Sequence, residues 1–160
     1  QTSHISGVIQ DMKTAIVYIS KHHGNTKKLV EAIAAVHEVT LIDGTKEGAI
    51  DLTGYDCIGF ASGIAFGSFY PRMLKLMKNS LPEAKKVFFL YACGSKHKVY
   101  TNAAAKIANA RNCRILGEYG CLGFDTFGPF KLIGGIAKGH PNANETAQAV
   151  EFFNSISGQI

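Results

Sequence analysis

The alternation of apolar runs with amphipathic segments constrains the fold of this chain more than any other feature of its sequence. The run "TAIVYI" at 14–19 has the character of a buried strand. The apolar residues of the next segment recur at i, i+1, i+4 and i+5, namely Leu29, Val30, Ile33 and Ala34. That spacing places them on one face of a helix that begins near Asn25. The pattern therefore opens with a strand followed by a helix.

Further runs repeat this alternation along the chain. They are predicted to be strands at 38–42, 57–61, 86–92 and 114–124. A second helix is predicted between Pro71 and Pro82, because proline suits the first turn of a helix and cannot continue one. Another helical pattern has its apolar residues at Val99, Ala103 and Ile107. A closing helix is predicted from Asn142 and Glu145, which are spaced as an N-cap and its N3 partner.

We interpret this pattern as five βα units. Parallel strands need right-handed helical crossovers, so helices cover both faces of the sheet. The predicted fold is α/β, a three-layer, doubly wound, five-stranded parallel sheet with the strand order 2-1-3-4-5. In such a sheet the ligand crevice lies at the carboxyl ends of strands 1 and 3, where the direction of winding reverses.

The length and composition of the chain predict one domain. At 160 residues and 46% hydrophobic, the chain has the size that usually forms a single core. We assign residues 12–160 to this domain and residues 1–11, which are polar and patternless, to an N-terminal extension or a remnant of cloning. No apolar run approaches the roughly 20 residues that span a bilayer, and no secretory signal opens the sequence. We therefore expect a cytoplasmic protein without a membrane partner.

Cysteine spacing and net charge narrow the function classes. The four cysteines form no C-x-x-C pair and lie in or beside apolar runs, which is typical of reduced, buried thiols and not of a disulfide or zinc site. Lys and Arg number 17 against 12 Asp and Glu, which favours an anionic ligand or partner. The lysines are scattered in pairs such as Lys27 and Lys28, so we expect a solvated basic surface and no nucleic acid partner.

Three loops rich in glycine and serine follow the first, third and fourth predicted strands, and so meet at one edge of the sheet. They read "SKHHGNT" at 20–26, "SGIAFGSFY" at 62–70 and "CGSKHK" at 93–98. Glycine lets a ligand approach the backbone closely, and serine and backbone N–H groups supply donors. The three loops together predict one binding site.

The sequence "VYISKHHGNTKKLVEAIA" resembles the phosphate-loop signature of the flavodoxin family. The similarity continues through "IGFASGIAFGSFYPRMLKLM" and "VFFLYACGSKHK", which resemble the second and third flavin loops, and ends with "GFDTFGPFKLIGGIAKGHPN". The resemblance implies flavin mononucleotide (FMN) as cofactor. The implied cofactor-binding residues are Ser20, Lys21, His22, His23, Gly24, Asn25, Thr26, Ser62, Gly63, Ile64, Ala65, Phe66, Gly67, Ala92, Cys93, Gly94, Ser95, Lys96 and His97.

The first loop suits the terminal phosphate of such a cofactor. The first N–H groups of the helix that begins near Asn25 lack internal partners and can point at phosphate oxygens. We expect the hydroxyls of Ser20 and Thr26, the Asn25 amide and the backbone of 22–26 to complete the cradle. No Walker lysine is needed, because no leaving group is cleaved. The charged run at 21–23 departs from the neutral loop that is usual in the family, and one of its residues is expected beside the phosphate.

The second and third loops are expected to flank the flavin ring. Phe66, Phe69 or Tyr70 is predicted to cover a ring face, with His97 at its edge. The family commonly places a tryptophan and a tyrosine against the flavin, and this chain has no tryptophan, so the three aromatic residues remain alternatives. The resemblance also implies a glycine whose peptide can turn toward the ring. Our candidate is Gly63, with Gly67 as the alternative. We expect apolar cover and few fixed charges around the ring.

The resemblance implies transfer of one or two electrons between redox partners. The residues agree with this role, because none stands out as a proton-transfer catalyst, a covalent nucleophile or a metal ligand. A basic chain with a pI near 9.0 predicts an acidic redox partner. An NAD(P)H-dependent FMN oxidoreductase of the quinone reductase type is the main alternative, and a flavin-free binding module is another. A receiver domain would need carboxylates where the first and third strands end in Ser20-Lys21 and Ala61-Ser62.

Overall fold

The computed structural model describes residues 12–46, 49–95, 99–123, 135 and 137–160, with the backbone alone for His22. The strands are β1 (Thr14–Ile19), β2 (Thr40–Asp43), β3 (Cys57–Ala65), β4 (Ser68–Phe69), β5 (Lys86–Cys93) and β6 (Arg114–Leu122). The α-helices are α1 (Asn25–Ala34), α2 (Pro71–Ser80), α3 (Asn102–Ala110) and α4 (Ala143–Ser157). Among these described helices, none combines the length and the apolar character needed to cross a bilayer.

The central sheet has the order β2-β1-β3-β5-β6, and all of its neighbouring strands run parallel. The short strand β4 pairs antiparallel with the end of β3 and lies off this path. When β4 is set aside, the five main strands follow the order 2-1-3-4-5. The predicted doubly wound fold is therefore confirmed.

Two hydrophobic cores cover the two faces of the sheet, because successive strand residues point to opposite sides. Val17, Phe60 and Phe89 face the core under α2 and α3. Their neighbours along the strands, Ile16 and Phe88 among them, face the core under α1 and α4. Strand β5 is buried on both faces, which explains why its sequence is a continuous apolar run.

The prediction of five βα units is wrong, because no helix joins β2 to β3 in the described parts of that link, residues 44–46 and 49–56. Local side-chain hydrogen bonds form turns there instead. Asp43 Oδ1 accepts from the N–H of Thr45 at 2.9 Å, and Asp51 Oδ1 accepts from the N–H of Thr53 at 3.0 Å. Such aspartate turns compete with helix formation.

The largest difference in strand bounds concerns β3, which was predicted to end at Ala61 and continues to Ala65. The segment predicted to be a loop folds back as a β-hairpin, in which Ala65 pairs with Ser68. Its two turn residues, Phe66 and Gly67, have φ values of 52° and 77°. Positive φ at both positions is the requirement of a type I′ turn, which matches the twist of the paired strands.

The closing helix begins as predicted. The N–H of Glu145 donates to Asn142 Oδ1 at 2.9 Å, and the N–H of Asn142 donates to Glu145 Oε1 at 3.1 Å. This reciprocal capping box satisfies two donors that the helix leaves without internal acceptors. The capping box predicted from the spacing of these two residues is confirmed.

Candidate functional site

A cavity of about 320 Å³ lies at the carboxyl edge of the sheet, at the crevice predicted from the strand order. Its lining comes from the ends of β1, β3, β5 and β6 and from the starts of α1 and α2. The residues that line it are Lys21, Asn25, Thr26, Gly63, Ile64, Ala65, Phe66, Tyr70, Pro71, Arg72, Ala92, Cys93, Gly94 and Gly123.

One end of the cavity is the start of α1. The N-cap residue Gly24 has a φ of 67° and supplies no side-chain cap, and the first turn contains no acidic residue. Thr26 is 1% exposed and lines the cavity, and its hydroxyl forms no hydrogen bond with another described residue. Ser20 Oγ accepts from the N–H of Lys27 at 3.2 Å, which leaves the Ser20 hydroxyl proton able to donate. This end of the cavity therefore offers donors and positive potential.

The hairpin of β3 and β4 forms another wall of the cavity. Ser62 is enclosed, and its hydroxyl donates to the carbonyl of Gly63 at 2.7 Å and accepts from the N–H of Tyr70 at 3.1 Å. A Cβ built on Gly63 would overlap the phenol ring of Tyr70. Ser62 and Gly63 thus set the position of Tyr70 rather than offering groups to a ligand.

The expected reason for a glycine at Gly63 differs from what the structure shows. Gly63 lies in regular parallel pairing with Ala92, and its glycine character is required by the close packing of Tyr70. The positive φ belongs to Gly67 at the hairpin tip, where an added Cβ would meet open space. Of the two candidates, only Gly67 adopts the backbone conformation that favours glycine.

The three aromatic residues of the second loop have different environments. Phe69 is 1% exposed and packs edge-on against Phe89, with 5.9 Å between ring centroids. Of the three alternatives for covering a ring face, Phe69 is therefore ruled out, because its side chain belongs to the core. Tyr70 is 8% exposed and lines the cavity, whereas Phe66 lines its rim and is 92% exposed.

The ends of β5 and β6 close the floor of the cavity. Cys93, predicted to start the third loop, is the last residue of β5, and its thiol donates to the carbonyl of Cys121 at 3.4 Å. The N–H of Gly123 donates to the carbonyl of Cys93 at 2.9 Å. A Cβ on Gly123 would lie 2.7 Å from Asn25 Nδ2, so the two elements approach closely at this point. All four cysteines of the chain are buried thiols.

Ten of the predicted site residues line the cavity: Lys21, Asn25, Thr26, Gly63, Ile64, Ala65, Phe66, Ala92, Cys93 and Gly94. Six do not line it: Ser20, His23, Gly24, Ser62, Gly67 and Ser95. The side chain of His22 and the residues Lys96 and His97 lie outside the described residues. Sequence reasoning missed Pro71, Arg72 and Gly123. Gly123 follows the last strand, so the rule that strand ends line the crevice would have found it.

Two cations are among the described residues that line the cavity. The Lys21 ammonium lies over the Tyr70 ring, 5.2 Å from its centroid, and so reaches across from the end of β1 to the hairpin wall. The Arg72 guanidinium donates to the carbonyl of Thr45 at 2.6 Å. No carboxylate is among the described residues that line the cavity.

The carboxylate of Asp43 lies at the end of β2, at the same edge of the sheet. Hydrogen bonds from the Thr45 hydroxyl, at 2.6 Å, and from its N–H hold the pKa of Asp43 below its usual value, against the effect of burial. The described residues contain no group of His, Cys, Asp and Glu side chains suited to a metal ion. The arrangement favours an anionic ligand with an apolar, planar portion.

Comparison with known proteins agrees with this geometry. A family model described as a flavodoxin domain matches residues 15–115. An uncharacterized protein of Methanocaldococcus jannaschii is 35% identical over 148 residues, which cover 91% of this chain and 98% of that protein.

Solved structures share the fold. A flavodoxin from the domain Archaea superposes with a TM-score of 0.61 at 16% identity, over 91% of this chain and 97% of that one. Oxidised flavodoxin 1 from Bacillus cereus gives a TM-score of 0.65 at 18% identity, over 92% and 99%. A flavoprotein from Lactobacillus acidophilus, solved in complex with FMN, gives 0.50 at 22% identity, over 69% and 93%.

Proposed function

Because the chain belongs to the flavodoxin family, we propose that it binds one FMN per chain and passes one or two electrons between redox partners in the cytoplasm. The observation that carries this proposal is the cavity at the carboxyl edge, which joins a helix start suited to an anion with a glycine-rich, partly aromatic wall. The Lactobacillus acidophilus flavoprotein of the same fold was solved with FMN, which supports the choice of cofactor.

The start of α1 would hold the phosphate. A phosphate monoester carries close to two negative charges at neutral pH, and the first N–H groups of a helix are donors without internal acceptors. The buried Thr26 hydroxyl, which lines the cavity, adds a further donor, and the Ser20 hydroxyl would add another from beside the cavity. The absence of an acidic residue from the first turn of α1 avoids repulsion at this end. The donor set therefore fits a dianionic phosphate.

The hairpin and the end of β5 would hold the ring. The backbone at Gly94 permits a close approach of the ring, and Tyr70 presents an aromatic surface that Ser62 fixes in place. Phe66 at the rim would exclude water from one side of the bound group. When bound, the flavin supplies the redox chemistry, and the protein supplies binding, orientation and electrostatics.

The cavity lining favours a carrier over an enzyme that converts a substrate. Its described side chains include no carboxylate and no imidazole to take up or deliver a proton to a substrate. The cationic lining and the net charge of +5 favour an acidic redox partner.

A second observation keeps the NAD(P)H-dependent FMN oxidoreductase as an alternative. A larger cavity of about 790 Å³ adjoins the first and shares Pro71 and Arg72 with it. Lys46, Arg72 and Lys75 line this second cavity, and three cations would suit the phosphates of a nicotinamide nucleotide.

The test is the visible spectrum of the purified protein, followed by titration with FMN while the fluorescence of the flavin is recorded. We expect a yellow protein, or quenching that saturates at one FMN per chain. A colourless protein that leaves the fluorescence unchanged would show that the proposed function is wrong.

A further inference from the structure

We infer that a basic face is the docking surface for an acidic partner protein. This face lies beside the first cavity, which would hold the flavin and is called the flavin cavity below. The basic face consists of Lys46, Arg72 and Lys75 around the second cavity, together with Phe66 at the rim of the first. The inference rests on the proposed electron-transfer function, because it places the partner next to the cavity in which the flavin would lie. The occupant is a protein that presents a cluster of Asp and Glu side chains.

The position of the basic face follows from the topology. Lys46 lies beyond the end of β2, and Arg72 and Lys75 lie in the first two turns of α2. These two elements meet because the Arg72 guanidinium donates to the carbonyl of Thr45 at 2.6 Å. Arg72 also lines the flavin cavity. A partner on this face would therefore lie directly against the mouth of the proposed cofactor site.

The charges of the basic face are not compensated within the described part of the chain. Lys46, Arg72 and Lys75 form no ion pair with a described carboxylate, and no described carboxylate lines either cavity. Asp43 lies near Lys46, but its carboxylate is turned to the N–H and hydroxyl of Thr45. Lys21 adds a further cation in the adjoining cavity. Such a one-signed surface raises the rate at which an oppositely charged protein associates.

Phe66 supplies an apolar contact at the edge of this face. Its side chain is 92% exposed, and its φ of 52° is a conformation that asparagine or glycine would adopt at lower cost. An exposed aromatic residue in a strained backbone conformation indicates a functional use. Aromatic residues are enriched at the centres of protein interfaces, where they contribute much of the binding energy.

The exposure of the charged side chains favours a protein over a small nucleotide. Lys46, Arg72 and Lys75 are all exposed. A small-molecule site usually encloses its ligand and presents a few precisely placed polar groups, whereas exposed charges with an exposed aromatic residue beside them are typical of an interface that a second surface covers.

The experiment measures binding of oxidised plant-type ferredoxin, a small acidic electron-transfer protein, by calorimetry at low and high ionic strength. The test variant is Lys46→Glu/Lys75→Glu, since neither residue lines the flavin cavity. The matched control is Lys78→Glu/Lys106→Glu, which has the same net charge and changes two exposed lysines that line neither cavity. At low ionic strength we expect the dissociation constant to rise at least about tenfold for the test variant and less than about threefold for the control.

High salt should reduce the difference between the two variants, because exposed charges are screened within about 10 Å at 0.1 M. Backbone amide NMR signals of residues 44–46, 66–67 and 71–76 should shift on addition of the ferredoxin. Equal losses for the two variants, or shifts confined to the opposite edge of the sheet, would overturn the inference. The same holds if NADPH, and not the ferredoxin, binds this face.

Failure of the inference can be told apart from failure of the proposed function. The FMN affinity of the unmodified protein and of both variants is measured first. If FMN binds equally to all three while ferredoxin does not distinguish them, the docking surface is wrong and the cofactor assignment stands. If FMN does not bind, the proposed function is wrong, and the ferredoxin titration of the flavin-free protein still decides whether the basic face binds an acidic protein.

Discussion

The two edges of the sheet use their polar residues in different ways. At the amino edge, polar side chains are bound to the backbone of neighbouring loops: Lys85 Nζ donates to the carbonyl of Thr53 at 2.9 Å, and Asp56 accepts from the N–H of Lys13 at 2.9 Å. At the carboxyl edge, the ammonium groups of Lys21, Lys46 and Lys75 form neither a hydrogen bond nor an ion pair with a described residue. The same strands therefore end in loops that stabilise the fold on one side and in groups available to a ligand or partner on the other.

Because of this difference, we expect substitutions at the amino edge to affect the stability of the fold and substitutions at the carboxyl edge to affect FMN binding. An amino-edge substitution should lower the free energy of unfolding and leave FMN binding unchanged. A carboxyl-edge substitution should chiefly alter binding, except where the side chain also fixes the backbone.

The largest loss of stability is expected at Arg111. Its guanidinium donates to the carbonyls of Leu81 and Lys78 and so ties α2 to the end of α3. Hydrogen bonds from a charged group contribute about 1.5 to 3 kcal/mol each, less at exposed sites, so Arg111→Ala should lower the free energy of unfolding by about 3 kcal/mol. Urea denaturation measures this loss. Arg114→Ala, which removes one exposed bond to Gln159, is the control and should cost under about 1 kcal/mol. A change in FMN affinity for Arg111→Ala would contradict the expectation that substitutions at the amino edge leave FMN binding unchanged.

At the carboxyl edge, Gly63→Ala should affect both properties. The added methyl group overlaps the ring of Tyr70 and must displace it from the cavity wall. Overpacking of this kind costs about 1 to 3 kcal/mol, and we expect a loss near 2 kcal/mol in unfolding and a loss of at least about tenfold in FMN affinity. Gly67→Ala is the control, because its methyl group meets open space and only the positive φ is penalised. If Gly67→Ala weakens FMN binding more than Gly63→Ala does, Tyr70 does not form the wall.

Glu145 is an exception to this division, because it lies at the carboxyl edge but its carboxylate stabilises the fold. Its carboxylate accepts from the N–H of Leu122 and of Asn142, each at 3.1 Å, and contacts His140. Burial acts to raise the pKa of Glu145, but these hydrogen bonds outweigh it and lower the pKa below its ordinary value of 4.5. The resulting stabilisation is therefore present above about pH 4.5 and is lost as the pH falls through the lowered pKa.

Glu145→Gln should lower the free energy of unfolding by about 1 to 2 kcal/mol at pH 7, and the difference from the unmodified protein should shrink below pH 4.5. Denaturation at pH 7 and at pH 3.5 measures this. Glu151→Gln, which changes an exposed residue of the same helix, should behave like the unmodified protein at both values. A difference for Glu145→Gln that is independent of pH would show that the charge of Glu145 contributes nothing.

The smallest expected effect is a gain in stability. Phe66→Asn places asparagine before glycine, the favoured pair for a type I′ turn, and replaces a strained aromatic residue. The free energy of unfolding should rise by about 0.5 kcal/mol, since αL positions favour asparagine. Ferredoxin binding should weaken, because the exposed ring is removed. Thermal denaturation measures the expected gain in stability, and the ferredoxin titration measures the expected loss of binding. A variant that is less stable would show that Phe66 packs on the fold.

Most strands and helices could be predicted from the sequence because they depend on patterns that each segment carries by itself. The continuous apolar run at 86–92 indicates a strand covered on both faces, and the spacing of Leu29 and Ile33 indicates a helix with one buried face. The order of such units follows from general rules of handedness and connection. The edge at which a ligand would bind follows from the same rules.

The details of the cavity wall could not be predicted, because they depend on contacts between segments distant in sequence. A glycine-rich stretch such as 62–70 suggests a loop, and nothing in its composition shows that it pairs with itself around Phe66. The position of Lys21 over Tyr70 joins residues 49 positions apart in the chain. Phe69 and Tyr70 are adjacent aromatic residues, and only the direction of each side chain decides that the first is core and the second lines the cavity.

The central claim, that the start of α1 holds the phosphate of FMN, is tested most directly with two ligands on two proteins. FMN and riboflavin, which lacks the phosphate, are titrated against the unmodified protein and Thr26→Ala. A hydrogen bond to a charged group is worth about 1.5 to 3 kcal/mol, so Thr26→Ala should weaken FMN binding by about ten- to a hundredfold. Riboflavin should bind the unmodified protein more weakly than FMN and should hardly respond to the substitution, which isolates the coupling between hydroxyl and phosphate. Equal losses for the two ligands would contradict the account and place the phosphate elsewhere.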